Sequence, residues 1–209
     1  MQPKGGLARG GGGFQKKLAD AIAEEAARHP ERPVEAFATD EHRIGLKPVT
    51  RRVWARIGER PSAEGHHRFE WLYVTAFVAP RSGETFWYVH DGVSKRFFEA
   101  LLELFAKEAG AGRDRTIVLE LDNAGWHGEA GLAVPERIRL VYMPAYSPEL
   151  QPAETLWTLV DEPIVNRHVA SIEELGDIIA RRCIGLAGLP DQIRSHTGFH
   201  WWPNAYRPK

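Results

Sequence analysis

Apolar positions change period several times along this chain, and each change marks an element. Phe14 to His29 is rich in Ala and Glu and free of Gly and Pro, which predicts a helix that stops before Pro30. Val34 to Thr39 (VEAFAT) reads as a short apolar strand ending at Asp40-Glu41. Trp71 to Val78 (WLYVTAFV) and Thr85 to Val89 (TFWYV) are aromatic and β-branched runs, and Arg81-Ser82-Gly83 between them supplies turn chemistry. Together they predict an antiparallel hairpin.

From Ser94 to Ala109 the period becomes helical, with Phe97, Phe98, Leu101, Leu102, Leu104 and Phe105 apolar and Ser94 as the N-cap. Gly110-Ala111-Gly112 ends that helix. Thr116 to Leu121 and Arg137 to Tyr142 read as strands. Pro152 sits at the first position of a helix that runs at least to Leu159. Ser171 caps a last helix to Arg182, with Glu173 and Glu174 in its first turn. The tail through Trp201-Trp202-Pro203 is short and irregular. Pro48 to Pro61 is basic and irregular, with a strand pair around Val53-Trp54. Three consecutive strands followed by crossover units predict an α/β domain, a mixed five-stranded sheet flanked by helices.

Composition narrows the classes. A chain of 209 residues suits one domain with extensions. It holds no apolar run of eighteen residues, and its N-terminus (MQPKGGLARGGGGFQKK) lacks the apolar stretch of a signal peptide, so no membrane partner is expected. Cys183 is the only cysteine, which excludes an intramolecular disulfide and fits a cytoplasmic setting. Glycine fills six of the nine positions from 5 to 13. Residues 1–13 therefore read as a flexible stub, 14–33 as a helical lead-in and 34–209 as the main domain.

Net charge is −1, low for a protein that binds a polyanion, but its distribution is uneven. Between Arg43 and Arg60 stand Arg43, Lys47, Arg51, Arg52, Arg56 and Arg60 against the single acid Glu59, a local charge of +5. A solvated loop face would account for any one of these residues. The cluster directly after Asp40 points instead to phosphate contacts along double-stranded DNA.

Three acids carry the chemistry. Asp122 closes the buried run TIVLEL and is followed by Asn123, Glu154 lies in the first turn after Pro152, and Asp40 closes the first strand. An Asp-Asn pair at a strand end is often turn chemistry, and a Glu in a first turn often complements the helix dipole. A sheet that brings all three together would hold two Mg²⁺ ions, with Mn²⁺ as substitute, for phosphodiester chemistry. Asp91, after the third strand, is the reserve acid. Without metal, clustered acids repel, so at least one pKa should rise. On that reasoning Asp122→Asn should leave stability level or slightly higher. Asn123 reads as orienting the loop or a carboxylate, and His127 as a structural, supporting or DNA-contacting residue. Trp157 reads as packing that directs Glu154, and Trp54, Trp71 and Trp87 as core. His66-His67 does not have metal-site spacing.

The run VLELDNAGWH followed by YMPAYSPELQPAETLW resembles the catalytic core of mariner-type bacterial insertion-sequence transposases of the DDE superfamily. Asp122, Asn123 and His127 match that family's strand-terminal element. Pro144, Tyr146, Ser147, Pro148, Glu149, Leu150, Gln151, Pro152 and Glu154 match its second element, and TDEHRIGLKP resembles its first catalytic strand, with Asp40 in the acid position. The resemblance spans roughly residues 34–202. It implies an RNase H-like fold, Asp40, Asp122 and Glu154 as catalytic and metal-binding residues, and DNA cleavage followed by strand transfer. It also implies transposon-end and target DNA as partners and a dimer on DNA. The separation of Asp122 and Glu154, 31 intervening residues, is a few fewer than is usual there. The family places helix-turn-helix units before the core, where this chain has the Gly-rich stub, so an upstream DNA-binding chain is a further expected partner. A catalytically silent remnant and a general RNase H-like nuclease are the competing readings.

Overall fold

The computed structural model describes residues 11–59, 69–128 and 131–208. Five strands, β1 (Val34–Gly45), β2 (Trp71–Ala79), β3 (Glu84–His90), β4 (Thr116–Leu121) and β5 (Ile138–Tyr142), form one mixed sheet in the order β3-β2-β1-β4-β5. β1 pairs antiparallel with β2 and parallel with β4, and β4 pairs parallel with β5. The first six residues of β1 and all six of β4 are buried, as strands covered on both faces require.

Alternation along the strands divides the core into two layers. Ala36, Ala38, Val118 and Val141 face helices α1 (Gly11–Arg28) and α4 (Ile172–Ala187). Phe37, Ile117, Leu119 and Leu121 face α2 (Lys95–Glu108), which presents Phe98, Leu101, Leu102 and Phe105. Phe105 anchors that second layer: its ring stacks on Phe77 at 4.0 Å and meets Phe37 edge-on at 5.3 Å. The Ser94 hydroxyl accepts from the Phe97 amide at 3.2 Å, and Ser171 caps α4 on the Glu174 amide at 3.2 Å.

Several boundaries differ from expectation. β1 runs on to Gly45 because β2 pairs with it as far as Trp71, so Asp40 lies inside a strand rather than at its end. α1 begins at Gly11, so Gly11 to Gly13 belong to a helix; residues 1–10 of the expected stub lie outside the described residues. No strand forms at Val53-Trp54. The backbone there is bridged by Asn166, whose side chain accepts from the Arg51 amide at 2.9 Å and donates to the Arg51 carbonyl at 3.1 Å. Trp54 is fully exposed and Trp71 is 44% exposed, against the expectation of core, whereas Trp87 packs partly buried on the first layer.

The helix expected from Pro152 is a 3₁₀ turn, Ala153–Leu156, followed by a single α-turn, α3 (Trp157–Val160). A further 3₁₀ turn, Glu162–Ile164, carries Pro163, which has no amide to continue an α-helix. A short helix, α5 (Pro190–Thr197), was not expected; only Ile193 and Thr197 of its eight residues are buried, too few to show a period. Trp202 is buried, and Tyr206 exchanges two backbone hydrogen bonds with Val34, so the tail is pinned to the sheet. Among the described residues no helix is long and apolar enough to cross a membrane.

Phe105→Ala should lower the unfolding free energy by about 3–5 kcal/mol, since it empties the centre of the α2 layer. Trp54→Ala should change it by no more than about 0.5 kcal/mol. Urea denaturation of both variants checks the pair, and the reverse ranking would misplace the core.

Candidate active site

Register decides which acids meet. β1 and β4 run parallel and in step through the pair Ala38–Glu120. Asp40 and Asp122 each lie two residues further on, so they emerge side by side where the paired segment ends. Crevices beyond the carboxyl ends of parallel strands are the usual binding places in α/β sheets. Here a cleft of about 510 Å³ opens there, lined by Asp40, Asp122, Asn123, Tyr146, Gln151 and Glu154 among others. Glu154 stands exposed in its 3₁₀ turn at the rim. Among the described residues no three His, Cys, Asp or Glu side chains are already close enough to hold an ion. Asp91 follows β3 at the far edge of the sheet, is exposed, and does not line the cleft.

Each wall has a physical anchor. The Trp157 indole donates to Asp40 Oδ2 at 2.7 Å, so this residue directs Asp40 rather than Glu154. Its ring stacks on His42 at 5.0 Å, and His42 in turn bonds Asp161 at 2.9 Å. Asp122 Oδ1 accepts from the Ala124 amide at 2.9 Å and from His127 Nδ1 at 2.7 Å. His127 Nε2 meets Glu41 Oε1 at 3.0 Å. Asn123 donates to the Met143 carbonyl at 2.6 Å, tying the end of β4 to the Pro-rich loop. Gln151 donates to the Thr39 carbonyl at 3.0 Å and accepts from the Ala153 amide at 3.2 Å, which fixes the turn carrying Glu154 against β1.

The two neighbouring aspartates are electrostatically unlike. Burial, with the charges of Glu41 and Asp122 added and the Trp157 bond opposing, pushes Asp40 up to about 7. Burial also acts upward on Asp122, but the hydrogen bonds from His127 and Ala124 and the charge of His127 outweigh it, and its pKa falls. Both ring nitrogens of His127 face carboxylate oxygens, so both carry protons. Burial lowers that pKa, and the bonds and charges of Asp122 and Glu41 more than reverse it, to about 9. The His127 side chain is fully buried, which excludes it from DNA contact in the folded chain.

The expectation of relieved repulsion at Asp122 is therefore misplaced. Repulsion and burial act on Asp40, whereas Asp122 is half of an ion pair. Asp122→Asn should destabilise.

Sequence reasoning weighed Glu41 only as a competitor of Asp40 for the acid position, and it missed Glu120. Glu41 points to the opposite face of β1 from Asp40, as the two-residue period of a strand requires. Glu120 is wholly buried, and neither of its carboxylate oxygens has a hydrogen-bond partner among the described residues. Burial, and then the neighbouring Asp40 charge, hold its pKa well above the ordinary carboxylate range. The signal was present: a glutamate inside a strand buried on both faces is itself anomalous.

The basic cluster divides. Arg43 borders a second hollow of about 350 Å³ beyond the two aspartates, with Tyr73 and Trp126, and its guanidinium lies 5.3 Å from the Trp71 ring centre. Arg51 is engaged by Glu162 at 2.8 Å and the Thr158 carbonyl at 3.0 Å. Lys47, Arg52 and Arg56 are exposed. Arg60 and His66-His67 lie outside the described residues.

Comparison with known proteins gives a family and a fold. Residues 36–176 match the family described as DDE superfamily endonuclease. The chain is 28% identical over 122 residues to the uncharacterized protein y4pE/y4sA of Sinorhizobium fredii, covering 58% of this chain and 87% of that one. It is 26% identical over 155 residues to the insertion element IS630 uncharacterized 39 kDa protein of Shigella sonnei, covering 72% of this chain but only 43% of that protein. The fold is similar to the crystal structure of the Mos1 mariner paired end complex with Mn, with a TM-score of 0.54 at 13% identity, over 96% of this chain and 68% of that one. The sheet and its flanking helices are thus those of an RNase H-like domain.

Asp40 sets a pH dependence. Its folded pKa of about 7 exceeds the ordinary aspartate value of 3.8, so the folded chain binds the proton more tightly than the unfolded one. Its contribution is fully present below the unfolded pKa and is lost as pH rises towards 7, at roughly 1.4 kcal/mol per pH unit. Asp122, with a lowered pKa, has the opposite sign: its contribution is present above the unfolded pKa and is lost as pH falls through the folded one. Urea denaturation without divalent metal between pH 4 and 7 should show a slope that Asp40→Asn reduces by about one proton. A slope unchanged in that variant would show that Asp40 is not the shifted group.

Proposed function

Because the chain belongs to the DDE superfamily of endonucleases, we propose that it is a DNA transposase catalytic domain, performing metal-dependent strand cleavage and strand transfer through Asp40, Asp122 and Glu154. The observation that carries this reading is the parallel delivery of Asp40 and Asp122 into one open cleft with Glu154 at its rim. The likeness to an insertion-element protein supports it.

The donor set fits a hard divalent cation. All three candidate ligands are oxygen donors, as Mg²⁺ and Mn²⁺ prefer, and both described hydrogen bonds to Asp122 fall on Oδ1, which leaves Oδ2 for the cleft. The raised pKa of Asp40 marks a carboxyl whose charge has too little compensation, the deficit a cation would make good. When bound, a pair of Mg²⁺ ions supplies an activated water or DNA 3′-hydroxyl and stabilises the leaving oxygen.

The chain's own groups do the positioning. Trp157 holds Oδ2 of Asp40, His127 and the Ala124 amide hold Oδ1 of Asp122, and Gln151 sets the turn of Glu154. Asp122 is kept ionised by its partners. Arg43, Lys47, Arg52 and Arg56 track the phosphates of transposon-end and target DNA, while Arg51 braces the loop through Glu162. An upstream DNA-binding chain, a dimer on DNA and a cytoplasmic location complete the proposal. The exposed position of Glu154 is the feature that favours the second reading, a catalytically silent remnant that binds DNA or a partner chain.

Assays with a labelled transposon-end duplex and a plasmid target test this. Nicking and joining should require Mg²⁺ or Mn²⁺, stop in EDTA, and fall by about two orders of magnitude or more in Asp40→Asn, Asp122→Asn and Glu154→Gln. Equal cleavage in EDTA would sink the metal mechanism, and cleavage without joining would make the protein a nuclease. The DNA affinity of the Arg52→Ala/Arg56→Ala double variant should fall less steeply with salt, because two phosphate contacts are lost. An unchanged salt slope would assign these arginines elsewhere.

A further inference from the structure

We infer that Glu41 is a positioning residue for the metal-facing carboxylate of Asp122, acting through the buried His127 ring. This deepens the proposed function and rests on it.

The geometry is a three-member chain. Glu41 Oε1 accepts from His127 Nε2 at 3.0 Å, and His127 Nδ1 donates to Asp122 Oδ1 at 2.7 Å. Every link but the last is closed to water: the His127 side chain is fully buried and that of Glu41 is 7% exposed, while that of Asp122 is 46% exposed at the cleft. One face of the ring is packed, and the backbone that carries it is tied down. The Phe98 ring lies 4.2 Å from it, and Tyr142 donates to the His127 carbonyl at 2.6 Å.

An imidazole bonded at one nitrogen alone can pivot about that bond. One bonded at both nitrogens and packed on a face has a single orientation. His127 therefore turns Oδ1 of Asp122 inward and presents Oδ2 to the cleft, and Glu41 holds His127 in that attitude.

The two-residue period of β1 couples this device to the other acid. Asp40 and Glu41 are consecutive and face opposite sides of the sheet, so one strand supplies a cleft acid on one face and the brace for its neighbour on the other. Carboxylates that ligate a metal are commonly oriented by hydrogen-bonded partners behind them, and loss of such a partner typically weakens metal binding 10- to 100-fold.

The test is Mn²⁺ binding to the full chain without DNA, followed by the electron paramagnetic resonance signal of free Mn²⁺ below the melting transition of each variant. Glu41→Ala should weaken Mn²⁺ binding by about 10- to 100-fold. Glu41→Met fills the same space without an acceptor and should show the same loss, which covers an Ala variant that does not fold. Glu41→Gln can still bond the ring and should bind within about threefold of the parent chain.

Parent-like binding by a folded Ala or Met variant would overturn the inference. So would a Gln variant as weak as these, because charge rather than orientation would then be at work. Asp122→Asn separates the two levels. If the parent chain binds no Mn²⁺, or Asp122→Asn binds it equally well, the proposed metal site fails. If only Asp122→Asn loses binding and the Glu41 variants keep it, the site stands and the brace alone is wrong.

Discussion

Parallel pairing of β1 with β4, in step from Val34–Thr116 to Ala38–Glu120, is the constraint on which the site depends. It brings two aspartates 82 positions apart in the chain, Asp40 and Asp122, to the same end of the sheet on adjacent strands. It also requires both strands to be buried on two faces, and the α1/α4 and α2 layers provide that cover. A shift of one residue in this register would turn Asp40 into the core and Glu41 into the cleft. The aromatic stack of Phe37, Phe77 and Phe105 beneath the sheet therefore bears on the chemistry as well as on stability, because it specifies which face of β1 is which.

Within the cleft, the two acids are held in opposite electrostatic states by their surroundings. Asp40 is buried against Glu41 and Asp122, with Trp157 its side-chain donor, and is pushed up to about 7. Asp122 is paired with a cationic histidine and remains ionised. Glu120, on β4 and without a hydrogen-bond partner among the described residues, is pushed well up by burial and by the Asp40 charge. Pushing the pKa values of neighbouring acids apart is a common property of reactive sites. In this chain it arises from burial and like charges at Asp40, which the Trp157 bond only partly offsets, and from a cationic histidine behind Asp122.

Much of this could be read in the sequence, and what could not has physical reasons. The order of strands and helices followed from period changes, because long apolar runs such as WLYVTAFV allow few alternatives. The cleft acids were legible because each adjoined a buried run or a Pro-punctuated loop. The extension of β1 past Asp40 was not, since Glu41, His42 and Arg43 break the apolar pattern and are kept in the strand only by pairing with β2. Trp54 looked like core on composition, yet Asn166 replaces the missing strand partner and leaves the ring in solvent. The role of Glu41 depends on a contact with His127 across 86 positions, which local pattern does not encode.

The central claim is that Asp40 and Asp122 jointly hold a divalent cation. Anomalous diffraction from crystals of the full chain soaked in Mn²⁺ tests it most directly. A peak should lie between the two carboxylates, about 2 Å from an Asp40 oxygen and from Asp122 Oδ2, and should vanish in Asp122→Asn. A well-occupied Mn²⁺ peak elsewhere, with the cleft empty, would contradict it.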